Sequence, residues 1–174
     1  NDRFKLLTTA DRTVLPRQQT LRALIDWSYD LLPPDEQRLF QRLSVFAGGW
    51  TLEAAKSVAA GGPIKAGSVM DLLANLVEKS LVTLDLETGR YRMLDTVRYY
   101  AAERLTQSDE ESSTRSRHLA WCMALAERAR SGLTGPEQGH WIAELDRERE
   151  NLLGAHRWCD HAADGVEQGL HFVF

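Results

Sequence analysis

The stretch LLANLVEKSLVTLDLETGRYRML, residues 72–94, decides the fold, because its hydrophobic period changes partway through. Val69, Leu72, Leu73, Leu76 and Val77 recur at spacings of three and four, which places them on one apolar face of a helix. Leu81-Val82-Thr83-Leu84-Asp85 then reads as a strand, Glu87-Thr88-Gly89 as a turn, and Arg90-Tyr91-Arg92-Met93-Leu94 as the returning strand. Asp95 follows as a cap for a helix from Thr96 to about Leu105.

Working back from that stretch, three more helices precede it. Thr20 is suited to cap the first, with Leu21, Leu24, Ile25, Ser28 and Leu32 on one face, and Pro33-Pro34 ends it. Asp35 and Glu36 suit the positive end of the next helix, which turns Leu39, Phe40, Leu43 and Phe46 inward and closes at Gly48-Gly49. Thr51 caps a short helix, Leu52 to Ala59. Three helices, a two-stranded hairpin and a further helix make a winged helix. Residues 1–19, with Pro16 among them, read as a linker or partial helix.

Beyond Thr106 the composition turns polar, and two long helical patterns follow. The first, about 114 to 130, buries Leu119, Cys122, Met123 and Ala126. The second, about 137 to 159, carries Trp141, Ile142, Leu145, Leu152, Leu153, His156 and Cys159 on one side, and a third begins near Val166. Helix pairs of this size predict an antiparallel, TPR-like superhelix. The expected fold is therefore mainly α: a linker and leading helix over 1–33, a winged helix over 34–108, and a helical region over 109–174 that is truncated at its C-terminus. The absence of an initiator Met and the apolar ending Leu170–Phe174 suggest an excised piece.

The chain has 174 residues, 43% hydrophobic and 26% charged, with a net charge of −4. That balance gives no general attraction to nucleic acid or anionic membrane. No apolar run approaches the ~20 residues of a membrane span, and no leader is visible, so a cytoplasmic protein is expected. Cys122 and Cys159 read as buried thiols, and the five tryptophans (27, 50, 121, 141 and 158) as packing residues.

Few residues suggest chemistry. There is no phosphate-cradling glycine loop with Lys and Ser/Thr, and no nucleophile elbow. His156, Cys159 and Asp160 share a helix face, but zinc wants four ligands with partners behind them, so core packing is the expectation and no metal is assigned. The charged run Glu144 to Glu150, with Asp146 and Glu150 four apart, reads as a solvated helix face rather than an acid/base pair. No catalytic residue is assigned, and no enzyme is expected. On the helix before the hairpin the non-apolar positions are Ser68, Asp71, Asn75, Glu78 and Lys79. Two acids against one base match a polyanion poorly, so direct DNA binding is not expected. Were DNA bound, Asn75, Lys79, Arg90 and Arg92 would be the contacts.

Three segments together resemble the STAND signalling ATPases, the group of plant NB-ARC resistance proteins and large bacterial regulators. Leu21 to Pro33 is similar to that family's "L-x-x-S-Y-D-x-L-P" segment, and Leu72 to Val82 to its "L-x-x-L-V-x-K-S-L" passage. Tyr91 to Arg98 occupies the place of its Met-His-Asp motif, and Leu43 to Ala55 matches the bacterial members. The resemblance implies a non-catalytic, interdomain module of a transcriptional regulator. It would pack on an upstream ATPase domain holding ADP or ATP and sense a protein or small ligand through the helical region, with no cofactor in this segment. Met93, Leu94 and Asp95 would sense nucleotide state. The motif histidine is Leu94 here, which has no donor, so that role is lost at this position. The competing reading is a DNA-binding winged-helix transcription factor with a helical dimerisation extension.

Overall fold

A computed structural model describes residues 16–159, with side chains from Gln19 onward. The chain divides into two compact units at Pro33/Pro34. The first holds helix α1 (Pro16–Asp30). It starts four residues before Thr20, the expected cap. Pro16 opens it rather than interrupting it, since a first-turn position leaves its N–H unbonded in any case. Leu24 and Trp27 are 56% and 65% exposed, so Trp27 is not the packing residue expected.

The second unit begins with α2 (Pro34–Leu43), α3 (Leu52–Ala59), a 3₁₀ turn (Ala66–Ser68) and α4 (Val69–Glu78). Strands β1 (Thr83–Asp85) and β2 (Arg90–Arg92) pair antiparallel, Leu84 opposite Tyr91, and α5 (Asp95–Thr106) follows. This is a winged helix. Its core is Leu39, Phe40 and Leu43 of α2 with Val58, Leu73, Leu76 and Leu105, all fully buried. Thr51 caps α3 as predicted, its hydroxyl accepting from Ala54 N–H at 3.2 Å.

Three local expectations need correction. Helix α2 stops at Leu43, well before Gly48-Gly49. Gly49 serves a different purpose: at φ +84° it lets Trp50 run alongside β2, and a Cβ there would lie 2.7 Å from the Tyr91 carbonyl. Trp50 and Tyr91 exchange backbone bonds of 2.9 and 2.8 Å and stack their rings. The strands are shorter than expected, because Leu81 and Val82 are drawn into the core ahead of β1. Finally, Leu94 rather than Asp95 occupies the cap position of α5. Asp95 sits one residue inside, its carboxylate 3.9 Å from Arg98, where it complements the helix dipole but closes no cap.

Helices α6 (Glu111–Gly132), α7 (Gln138–Arg147) and α8 (Arg149–Cys159) form a helical bundle on the winged helix, α6 lying against α3 and α8. The TPR-like superhelix is corrected to this bundle: one hairpin and one partner helix establish no repeat. The expected helix near Val166 lies outside the described residues, as do the linker residues 1–15. The stripe predicted for 137–159 is shifted. Ile142, Leu153 and His156 are exposed, while Asn151, Ala155 and Cys159 face inward against Leu119 and Cys122. Gly132 admits the Trp141 indole against its backbone, so no side chain fits there.

The junction of α7 and α8 is not a solvated face. Glu148, Asn151 and Arg90 are 1%, 0% and 3% exposed. Arg90 donates to one Glu148 oxygen through Nη1 and to the Gly49 carbonyl through Nη2 at 3.1 Å. Asn151 Nδ2 donates to the other Glu148 oxygen at 2.6 Å and to the same carbonyl at 2.8 Å. Asn151 Oδ1 accepts from the Ala47 and Gly48 N–H groups at 2.8 and 3.4 Å. The clasp ties the base of the wing and the α2–α3 loop to the helical bundle, and it explains the one-residue break at Glu148. Asp146 and Glu150 remain exposed, as expected.

Two predictions follow from this packing. Glu148→Ala leaves a buried guanidinium unpaired and should cost about 3–5 kcal/mol, whereas the double change Arg90→Met, Glu148→Leu should recover most of it; urea unfolding of the three proteins decides. His118, edge-on to Phe46 at 5.0 Å, is held to a pKa of about 4 against 6.5 by burial and, less, by Arg115. The unfolded chain therefore takes up the proton first. The stability difference between wild type and His118→Gln should be flat above pH 6.5 and shrink on the order of 3 kcal/mol as pH falls to about 4.

Candidate nucleic-acid interface

Helix α4 follows α3 through the turn 60–68 and presents its outer face to solvent. Val69, Leu73 and Leu76 anchor it, and Met70, Asp71, Ala74, Glu78 and Lys79 are exposed. Its end is set by two backbone bonds, Leu81 N–H to the Leu76 carbonyl at 3.0 Å and Ser80 N–H to the Val77 carbonyl at 2.9 Å. Ser80 takes the left-handed conformation, φ 59°, that this closure requires. The termination fixes Lys79 as the last residue before the chain turns into the wing.

The four residues considered for DNA contact separate into three environments. Asn75 Nδ2 donates to Glu36 Oε1 at 2.9 Å, and Lys79 Nζ pairs with Glu36 Oε2. Glu36 is 3% exposed, while the Lys79 side chain keeps 38% of its surface. Arg90 is sealed in the clasp and reaches no outside partner. Arg92, two residues on, is exposed on the wing. The acidic first turn of α2 thus does more than complement a dipole: Glu36 crosses to α4. Nothing in the sequence pattern marked Glu36 or Glu148 as a partner of these cations, since both acids had adequate local explanations.

The wing turn is shaped by Asp85, whose carboxylate accepts from the Glu87 and Thr88 N–H groups at 2.9 and 3.3 Å. The Thr88 hydroxyl, then these two amides, hold its pKa below the usual carboxylate range. The wing tip therefore keeps a negative charge, with Leu86 fully presented beside it. Of the residues considered for nucleotide sensing, Leu94 is 66% exposed, Met93 is half-buried and Asp95 lies 3.9 Å from Arg98 of its own helix. Both cysteines are buried thiols outside any disulfide. Of the metal candidates, His156 is exposed and Cys159 buried, and Asp160 lies outside the described residues. Among the described residues no three His, Cys, Asp or Glu side chains are grouped to hold a metal, and no helix is long and apolar enough to cross a membrane.

Comparison with known proteins bears directly on these placements. Residues 32–106 match the winged helix-turn-helix domain family. Two provisionally named HTH-type transcriptional regulators, from Mycobacterium tuberculosis and Mycobacterium bovis, are 44% identical over 160 residues, which is 91% of this chain and 18% of each relative. An uncharacterized protein of Mycobacterium tuberculosis is 39% identical over 121 residues, 68% of this chain and 31% of its own length. No solved structure matches at comparable stringency. The chain thus spans about a fifth of the regulators it matches. These findings correct the resemblance to STAND and NB-ARC ATPases. With it goes the upstream ATPase domain as the expected partner. The motif segments that suggested it lie largely inside 32–106, where helix-turn-helix geometry accounts for the same apolar spacings. The expectation against direct DNA binding is corrected as well. It rested on counting charges along one helix, whereas helix-turn-helix docking draws phosphate contacts from several elements and backbone amides. By sequence, residues 32–106 are similar to the winged helix-turn-helix family, and that similarity coincides with the winged helix of the fold.

Proposed function

We propose that this chain is the winged-helix portion of a longer, cytoplasmic transcriptional regulator, and that α4 and the wing contact duplex DNA. The observation that carries this reading is the coincidence of the family match, residues 32–106, with a helix pair whose second member keeps its polar face clear of the core. In helix-turn-helix proteins that second helix enters the major groove. Exposed Arg92 lies on the adjoining wing, and exposed Lys65 stands at the start of the 3₁₀ turn that leads into α4. As long, exposed cations, both suit phosphate contact. Asn75 is the residue on α4 with base-reading chemistry, since its amide can both donate and accept along a base edge.

The test is fluorescence anisotropy of the full-length protein on labelled random-sequence duplex, over a range of salt concentrations. Binding should weaken with salt, and Arg92→Ala should weaken it alike across sequences while reducing the log–log slope by about one. Salt-independent binding, or none at all, would overturn the reading.

A further inference from the structure

Lys79 is the one cation at the end of α4, and its ammonium is already engaged. Glu36 reaches it from α2 and at the same time accepts a 2.9 Å hydrogen bond from Asn75, one turn earlier on α4. A carboxylate that accepts from an ammonium and an amide one turn apart offers the same acceptor chemistry as a phosphate oxygen. The remaining exposed charges of α4, Asp71 and Glu78, are both acidic. So long as the Glu36 contact holds, α4 shows a polyanion no free positive charge and three nearby carboxylates.

We infer that Glu36 is a positioning residue that restrains DNA engagement by α4: its carboxylate holds the Lys79 ammonium inward and offsets its charge, so that full phosphate contact by Lys79 competes with the Glu36 contact. The inference rests on the DNA-binding reading above. Geometry favours exchange at this pair. Lys79 is 38% exposed and can turn outward on a flexible stem, while Glu36 at 5% side-chain exposure stays in place and keeps Asn75 oriented. The clasped Arg90, at 4% side-chain exposure, has no such freedom. Glutamine at position 36 keeps the shape and an acceptor oxygen for Asn75 while removing the charge.

The experiment measures anisotropy of fluorescein-labelled random-sequence duplex with the full-length protein, as wild type, Glu36→Gln, Lys79→Ala and the double variant, across a salt series. Glu36→Gln should tighten binding roughly five-fold at low salt and steepen the log–log salt slope by about one, because one further cation now meets phosphate. Adding Lys79→Ala should abolish that gain. A merely structural role for Glu36 cannot produce tighter binding with a steeper slope. If wild type binds and Glu36→Gln binds with unchanged affinity and slope, the inference fails and the DNA reading stands; if none of the four binds, both fail. Should Glu36→Gln not fold, Lys79→Gln alone decides. It should change wild-type affinity by no more than about two-fold, and a loss as large as that of Arg92→Ala would overturn the inference.

Discussion

The buried clasp of Arg90, Glu148 and Asn151 is the constraint on which the rest of the second unit depends. A guanidinium and a carboxylate removed from water are costly unless each is paired and hydrogen-bonded. Asn151 extends the pairing by joining the Glu148 carboxylate, the Gly49 carbonyl and the amides of Ala47 and Gly48, and Arg90 Nε alone of the guanidinium nitrogens finds no acceptor among the described residues. Three segments far apart in sequence must therefore arrive together. The helical bundle does not trail from the winged helix as an independent appendage. It holds the strand from which the wing projects.

Strand parity sharpens the point. Arg90 and Arg92 lie two apart on β2, so both point away from Tyr91, whose ring stacks on Trp50. Side chains on the same face would ordinarily share one environment. Here the α7–α8 junction covers the first and leaves the second open. What distinguishes a structural arginine from a surface arginine in this hairpin is a helix contributed more than fifty residues later.

This difference marks the limit of what was legible in the sequence. The winged helix could be read because its signals are local: the stripe through Leu73 and Leu76, the Thr51 cap, and the turn at Glu87–Gly89. The ends of α2 and α5 were misplaced, because Gly48-Gly49 and Asp95 match common capping chemistry and their actual roles are set by Tyr91 and Leu94. The bundle was legible as helices and not as a packing arrangement; Asn151, a polar residue, proved more buried than Ile142 or Leu153. The candidate contact residues were read by type alone. Type cannot reveal that Glu36 lies opposite Asn75 and Lys79, or that Glu148 lies opposite Arg90, since neither separation leaves any periodic trace.

The two glutamates nonetheless make a coherent pair. Each sits where a helix begins or breaks, where a carboxylate has an easy local explanation, and each neutralises a basic side chain that a charge count would assign to the surface. They differ in how completely they do so. Glu148 encloses its arginine between a strand, a loop and a helix junction, so that separating the two would strand both charges in a dry interior. Glu36 meets its lysine at the boundary with solvent, where separation rehydrates the ammonium and leaves the buried carboxylate with the Asn75 hydrogen bond. The same chemistry therefore gives a permanent brace in one place and an exchangeable contact in the other, and the depth of the cation, rather than its identity, decides which it is.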